Sequence, residues 1–273
     1  MKRYTYIFII LVGLLLLPLR GVAANADTTA EAMWQQGIES YAAKDYRRAV
    51  ECFERVAELG YATDDLYYNL GDAYFKLGQQ HVEASGRAFA EGELGKAILS
   101  YQRALKLNPT MKDARYNLEL ATDYTNDTEA IPVGFLTAMW RALRDCMSSN
   151  GWAICSVVLL FITLALVLVY LLGVSVTLRK VSFFVALLAA LAFVLTTALA
   201  LSQRAAYLDD SRSVVICSDT TPVHASPDSS SKIIRQPSQG VNLSIVRTID
   251  EWTEVEFADG EKGWIRSSNI ERI

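Results

Sequence analysis

Two long apolar runs constrain this chain more than any other feature of its sequence. Residues 152–172 and 181–201 are two stretches of 21 residues without a charged side chain. A helix of about 20 apolar residues spans the roughly 30 Å hydrocarbon core of a bilayer. Both runs are apolar on every face, which favours membrane helices over buried helices of a soluble fold. We therefore predict transmembrane helices at 152–172 and 181–201, joined by a short loop that carries Arg179 and Lys180.

The N-terminus has the pattern of a secretory signal peptide. Lys2 and Arg3 precede a short apolar stretch, and small residues at 24–26 give a cleavage pattern. We predict a signal peptide over residues 1–26, with Asp27 onward exported whether or not cleavage occurs. The hairpin loop then faces the cytoplasm, and the regions on both sides of the hairpin lie outside the membrane.

Residues 131–151 separate the first exported region from the hairpin. Apolar side chains recur there at helical spacing beside two cationic ones: Phe135, Leu136, Met139, Trp140, Leu143, Arg141 and Arg144. This pattern predicts a short amphipathic helix that lies on the membrane surface. An ordinary packing face is the alternative.

Residues 27–130 carry an internal repeat. Gly37 and Gly71 are 34 residues apart, which is the period of the tetratricopeptide repeat (TPR). Glycine at these positions lets two antiparallel helices approach closely, and neighbouring aromatic side chains fill the space between them. We predict an all-α solenoid of two TPR repeats and a capping helix that covers the last repeat.

The second repeat is interrupted by about 14 residues, at 79–92. This insert forms either an extra wall on the ligand groove or a helix extension followed by a surface loop. The sequence Tyr-Asn-Leu occurs at 68–70 and again at 116–118, 48 residues later, which equals the repeat period plus the insert.

The repeated Tyr-Asn-Leu places two asparagines at one repeat position on the concave face. An asparagine side chain offers both a donor and an acceptor to an extended peptide backbone. A structural role in packing or capping is the alternative. The predicted peptide-binding groove contains Tyr68, Asn69, Asp72, Lys76, Tyr116 and Asn117.

Residues 210–273 contain short β-rich runs separated by turn sequences, which predicts a small all-β barrel. The stretch from Trp252 through Asp259-Gly260 to Gly263-Trp264 resembles the ending of bacterial SH3 domains. The resemblance implies peptide or cell-wall ligands. Trp252 and Trp264 are candidates for a ligand shelf, and core packing is the alternative. We expect the TPR and SH3-like domains to fold independently.

No residue constellation points to catalysis. The four cysteines form no C-x-x-C pair, and neither histidine has a Cys or His ligand nearby in the sequence. We expect no cofactor, no metal and no enzymatic activity. The net charge of −4 argues against a nucleic-acid partner.

The order of signal peptide, short TPR array, membrane hairpin and SH3-like domain resembles the BatE family of Bacteroides aerotolerance operons. The resemblance implies a multi-pass protein of the cytoplasmic (inner) membrane, with the TPR and SH3-like domains in the periplasm. It implies partners among von Willebrand A-type membrane proteins of the same operon. The expected function is a scaffold in an envelope stress or aerotolerance complex. The alternative is a tether or sensor that binds peptidoglycan through its SH3-like domain.

Overall fold

The computed structural model describes residues 20–86, 89, 92–125, 134–216 and 221–273, with side chains from residue 28 onward. The signal-peptide prediction falls largely outside this part of the chain, since only the backbone of residues 20–26 is described. The structure divides into two units, Met1–Ala62 and Thr63–Ile273, and each is taken by itself.

The first unit is a pair of helices, α1 (Arg20–Ala42) and α2 (Tyr46–Glu58). A Cβ atom on Gly37 would lie 2.6 Å from the Phe53 ring, so only glycine fits there. Trp34 packs on the same ring, with ring centroids 5.4 Å apart. Asp45 caps α2 by accepting a hydrogen bond from the Arg48 amide. The spacing of small and aromatic residues predicted for the first repeat is confirmed.

The second unit begins with three helices, α3 (Asp64–Ser85), α4 (Glu93–Leu107) and α5 (Lys112–Thr122). Thr63 caps α3 by accepting from the Leu66 amide at 3.1 Å. Gly71 of α3 lies against the fully buried Tyr101 of α4, where a Cβ would come within 2.7 Å of the ring. The close approach of α3 and α4 therefore depends on glycine at this repeat position.

The insert at 79–92 begins as helix. The helix α3 continues through Ser85 and ends at Gly86, whose φ of 67° closes the helix in the left-handed region. Phe89 then packs on Phe75 of α3 with ring centroids 5.7 Å apart. The described part of the insert thus lengthens α3, as the helix-extension alternative states, whereas Phe89 is buried against α3 and does not lie on a surface loop.

Three helices follow, α6 (Phe135–Arg144), α7 (Ser149–Leu172) and α8 (Val176–Tyr207). By length and mean hydropathy, 2.9 and 2.6, α7 and α8 are the two described helices that could span a membrane. The predicted loop at 173–180 is wrong, because Ser175 caps α8 by accepting from the Leu178 amide. Arg179 therefore lies within α8, over the Tyr170 ring at 5.5 Å.

The C-terminal domain is an antiparallel sheet of seven short strands in the order β3-β2-β6-β5-β4-β1-β7. Its core contains Val215, Val223, Leu243, Val255, Phe257, Ile265 and Ile270. The strands are β1 (Arg212–Val215), β2 (Val223–His224), β3 (Ile233–Arg235), β4 (Asn242–Ile249), β5 (Trp252–Glu256), β6 (Lys262–Arg266) and β7 (Ile270–Arg272). Gly260 turns the chain between β5 and β6 with φ of 88°, as the Asp-Gly sequence predicts.

The TPR helices and the β domain of the second unit are in direct contact, which the sequence did not indicate; that each domain folds independently stays a prediction. The face of α4 packs on β1 and on the turn before β4. A Cβ on Gly240 would lie 2.5 Å from the Ile98 side chain of α4. A Cβ on Gly95 would likewise clash with the carbonyl oxygen of Val215. Two glycines, one on each side, allow this approach.

Candidate functional site

The six predicted groove residues lie on α3 and α5, and they separate into an inner group and an outer group. The inner group surrounds the Asp72 carboxylate on α3. Its Oδ1 atom accepts hydrogen bonds from the Tyr101 hydroxyl and from the Asn117 amide, both at 2.7 Å. Tyr68 also contacts Asp72. The structure therefore brings together Tyr68, Asp72 and Asn117, and it adds Tyr101, which the sequence did not indicate.

Burial dominates the electrostatics of this cluster. Desolvation raises the pKa of Asp72, and the hydrogen bonds from Tyr101 and Asn117 oppose that rise. Desolvation and the neighbouring Asp72 carboxylate raise the pKa of Tyr68 to about 12. The phenol of Tyr68 therefore stays protonated at neutral pH. The cluster is a hydrogen-bonded polar network between α3, α4 and α5.

The two repeated asparagines have different partners. Asn69 donates to the carbonyl of Asp65 on its own helix at 2.8 Å, whereas Asn117 reaches across to Asp72. The position 34 residues before Asp72 is Ile38, which offers no carboxylate. Equal repeat position therefore does not give equal chemistry, and the amide of Asn117 serves the contact between helices.

The outer group faces solvent. Tyr116 is 66% exposed on α5, and Leu120, one turn later, is 36% exposed. Lys76 donates to the Gln79 side chain at 3.0 Å on α3. An exposed tyrosine and leucine one turn apart on the last TPR helix form an apolar patch that a partner can cover. We call Tyr116 and Leu120 the α5 patch.

The two tryptophans of the predicted shelf are buried, each only 6% exposed. The ring of Trp252 meets His224 edge-on at 5.3 Å and lies beneath Arg266. The guanidinium of Arg247 covers Trp264 at 5.1 Å. The rings thus have protein neighbours where a ligand would stack, an arrangement that favours the packing alternative.

Sequence reasoning missed the residues that join α4 to the β domain. Gln239 is 6% exposed; its Nε2 donates 2.8 Å to the carbonyl of Phe89, and its Oε1 accepts from the Gly95 amide. Farther along α4, the Arg103 guanidinium bonds the carbonyl of Arg272 and pairs with Glu271 at 2.8 Å. These pairs are 144 or more residues apart, so no local pattern signals them.

Among the described residues no group of three or more His, Cys, Asp or Glu side chains is placed to hold a metal ion. Cys52 is buried in α2, and burial raises the pKa of its thiol. The residues that the structure brings together therefore form packing networks and exposed surface.

Two domain families match the chain. The bacterial SH3 domain family matches residues 218–271, and the tetratricopeptide repeat family matches residues 64–81, which lie within α3. No curated protein matches the chain. Both matching domain types indicate interaction with proteins or with the cell wall.

Proposed function

We propose that this chain is a non-enzymatic scaffold of the inner membrane, which presents its TPR helices and its SH3-like domain to other membrane proteins. The observation that carries the proposal is the docking of α4 on the β domain. The TPR helices of the second unit and the β domain are thereby held together beside a pair of apolar helices. This arrangement supports a scaffold role, because it keeps two binding surfaces in a fixed relation.

The docking also indicates which TPR surface is available to a partner. The β domain covers the face of α4 that carries Gly95 and Ile98. The α5 patch, Tyr116 and Leu120, lies on the next helix and is exposed. We therefore assign partner binding to the α5 patch and the adjoining surface of α3 with Asn69 and Lys76.

The hairpin supports the membrane topology that we propose. Only residues 173–175 separate α7 from α8, which favours a hairpin whose far ends emerge on the same side of a bilayer. The regions before α7 and after α8 then share one compartment, which we assign to the periplasm. This assignment rests on the signal-peptide pattern. The domain order further supports a place in an envelope stress or aerotolerance complex with von Willebrand A-type proteins.

Recovery of partners from detergent-solubilised native membranes tests the scaffold. Tagged wild-type chain should enrich a small set of membrane proteins, von Willebrand A-type proteins among them. Tyr116→Ala should lower their recovery about tenfold or more, because aromatic anchors at interfaces are worth roughly 2 kcal/mol or more. The matched control is Ile233→Ala on β3, an apolar residue that is 45% exposed on the other domain.

The cell-wall tether is the competing function, and the SH3 match favours it. Sedimentation with purified peptidoglycan sacculi separates the two. A scaffold stays in the supernatant in detergent and retains its membrane partners. Sedimentation with sacculi, together with partner recovery unaffected by Tyr116→Ala, would refute the scaffold and support the tether.

A further inference from the structure

A cavity of about 260 Å³ opens where α4, α5, α6, α8 and β1 meet. Four cationic side chains line it, together with one carboxylate: Lys106, Arg115, Arg144, Arg212 and Asp145. The cavity is smaller than the roughly 300–1,000 Å³ typical of sites for drug-sized ligands. Its size and charge suit a compact anionic group.

The cationic side chains of the cavity differ in whether a carboxylate already pairs with them. Arg144 is held by Asp145 at 2.7 Å, and Lys106 by Asp210 at 3.2 Å. The guanidinium of Arg115 instead donates to the carbonyl of Pro109. Across the described residues, no carboxylate lies within ion-pair distance of Arg115. Within the described part of the chain, Arg115 therefore brings to the cavity a positive charge that no carboxylate pairs with.

Two glutamines that line the cavity, Gln102 and Gln203, each have a buried amide oxygen. Gln203 is 8% exposed, and its Oε1 atom finds no hydrogen-bond partner in the described part of the chain. The Oε1 atom of Gln102 is likewise buried without one, while its Nε2 donates to Asn242 at 2.9 Å. A buried acceptor without a donor is costly. A ligand hydroxyl that reaches the Gln203 oxygen from the cavity would supply the missing donor.

The cavity lies at the end of the apolar helices. Gln203 follows directly on the apolar run of α8 that ends at residue 201. Arg144 ends α6, whose residues Phe135 and Leu136 are 78% and 72% exposed. Trp140 of α6 donates to Ser202 of α8 at 3.3 Å, which holds α6 against this end of α8. In a bilayer this is the level of the lipid headgroups.

We propose that this cavity binds a phosphate ester that carries free hydroxyls, as in the headgroup of phosphatidylglycerol. Arg115 and Arg144 bind the phosphate, since a guanidinium matches its oxygens in geometry and charge. Gln203 accepts a hydrogen bond from a headgroup hydroxyl. A bound lipid would hold α4, α5 and the β domain against the membrane surface. The inference rests on the membrane anchoring in the proposed function, not on its protein partners.

The test uses the full chain in a neutral detergent, with dissociation constants from ligand-dependent thermal stabilisation. The probes are water-soluble dihexanoyl phosphatidylglycerol, dihexanoyl phosphatidylcholine, dihexanoyl phosphatidic acid, glycerol 1-phosphate and inorganic phosphate. We expect phosphatidylglycerol to bind at least tenfold more tightly than phosphatidylcholine. Equal or tighter binding of glycerol 1-phosphate would support the site and assign a soluble source for its ligand.

Two variants locate the binding. Arg115→Gln should raise the dissociation constant for phosphatidylglycerol about tenfold, because a charged hydrogen bond is lost. The matched control is Arg141→Gln, which removes a positive charge from α6 at a residue that does not line the cavity. If Arg115→Gln does not fold, Arg144→Gln serves in its place with the same expectation.

The role of Gln203 has its own signature. Gln203→Leu should weaken phosphatidylglycerol about fivefold and leave phosphatidic acid, which lacks the glycerol hydroxyls, unchanged. Equal losses for Arg141→Gln and Arg115→Gln would overturn the site, because they would indicate general surface charge. No preference for phosphatidylglycerol over phosphatidylcholine would overturn it too. Partner recovery is measured separately, so a failed scaffold and a failed lipid site remain distinguishable.

Discussion

Replacing Gln239 with alanine should separate the TPR helices from the β domain. Gln239 lies before β4, and its side chain bridges the two domains with one donor and one acceptor. It satisfies the carbonyl of Phe89 and the amide of Gly95. Gly95 lies in the first turn of α4, where amide groups have no partner within the helix. Alanine at 239 would leave both backbone groups without a protein partner.

The expected magnitude follows from these two groups. A buried polar group that loses its partner costs about 1–3 kcal/mol. Two such groups give roughly 2–6 kcal/mol against docking. Since 1.4 kcal/mol is a factor of about ten, the undocked population should rise roughly 30-fold or more. Water can satisfy both groups once the domains separate, so the loss favours opening.

Hydrogen exchange measured by mass spectrometry on the full chain in detergent reports this opening. Peptides from α4 and from β1 should lose protection together in Gln239→Ala, because each covers the other. The matched control is Gln236→Ala, an exposed glutamine three residues earlier in the same segment. It should leave both sets of peptides unchanged.

Loss of protection in β1 alone would refute this reasoning, since it would mean that Gln239 stabilises only its own domain. Unchanged protection in both elements would refute it as well, because the bridge would then contribute nothing to docking. A global loss that includes α7 and α8 would indicate unfolding rather than separation.

Three further predictions test the core of the TPR helices and the hairpin. Burial raises the pKa of Asp72 above its ordinary 3.8, so wild-type stability falls as pH rises through that higher pKa. Asp72→Asn removes this titration and keeps a side-chain oxygen that can accept hydrogen bonds. In thermal melts, the stability of the variant relative to wild type should rise between pH 3 and pH 7. A difference in stability that stays constant over this pH range contradicts the prediction. Gly71→Ala should cost about 1–3 kcal/mol in chemical denaturation, because Tyr101 lies 2.7 Å from the new Cβ and its hydroxyl is held by Asp72; an unchanged midpoint contradicts it. With native cysteines replaced by serine, an impermeant thiol reagent on spheroplasts should label a cysteine at Asp228 and spare one at Val174, and the reverse pattern refutes the topology.

Much of the local structure could be predicted because it depends on residues close together in the chain. The apolar runs predicted both long helices. The predicted 152–172 lies within α7, Ser149–Leu172, and the predicted 181–201 lies within the longer α8, Val176–Tyr207. The 34-residue period identified Gly37 and Gly71, and the structure shows an aromatic ring against each. The error at the loop before α8 has a local cause too, since the cap at Ser175 admits Arg179 and Lys180 into the helix.

The docking of α4 could not be predicted in this way. Gly95 in the first turn of a helix has no special meaning in sequence, because glycine is common near helix ends. Its role depends on the carbonyl of Val215, 120 residues later, which occupies the space of a missing side chain. The cavity near this contact is lined by residues from five elements. Its positive charge could not be predicted from the sequence, because these residues are far apart in the chain.

The candidate groove shows that equal repeat positions can have different hydrogen-bond partners. The Tyr-Asn-Leu motif predicted two equivalent asparagines for one peptide. Asn117 instead bonds Asp72, and the corresponding residue for Asn69 is the aliphatic Ile38. A repeat period specifies backbone position, whereas the partner of a side chain depends on one residue of the neighbouring helix. The exposed tyrosine of the motif, Tyr116, is therefore a better candidate for partner contact than either amide.

The last turn of α4 contacts both the β domain and the chain after α8, which would affect how such a scaffold presents its binding surface. Lys106, in the last turn of α4, donates to the carbonyl of Asp209, two residues after α8 ends, and to the carbonyl of Ile273 beside β7. One side chain, that of Lys106, thereby ties α4 both to the chain just after the apolar helix α8 and to the sheet. A flexible tether would let the α5 patch sample many heights above the bilayer. These bonds instead set its distance from the end of α8, so under the proposed function a membrane partner would have to reach Tyr116 at that distance.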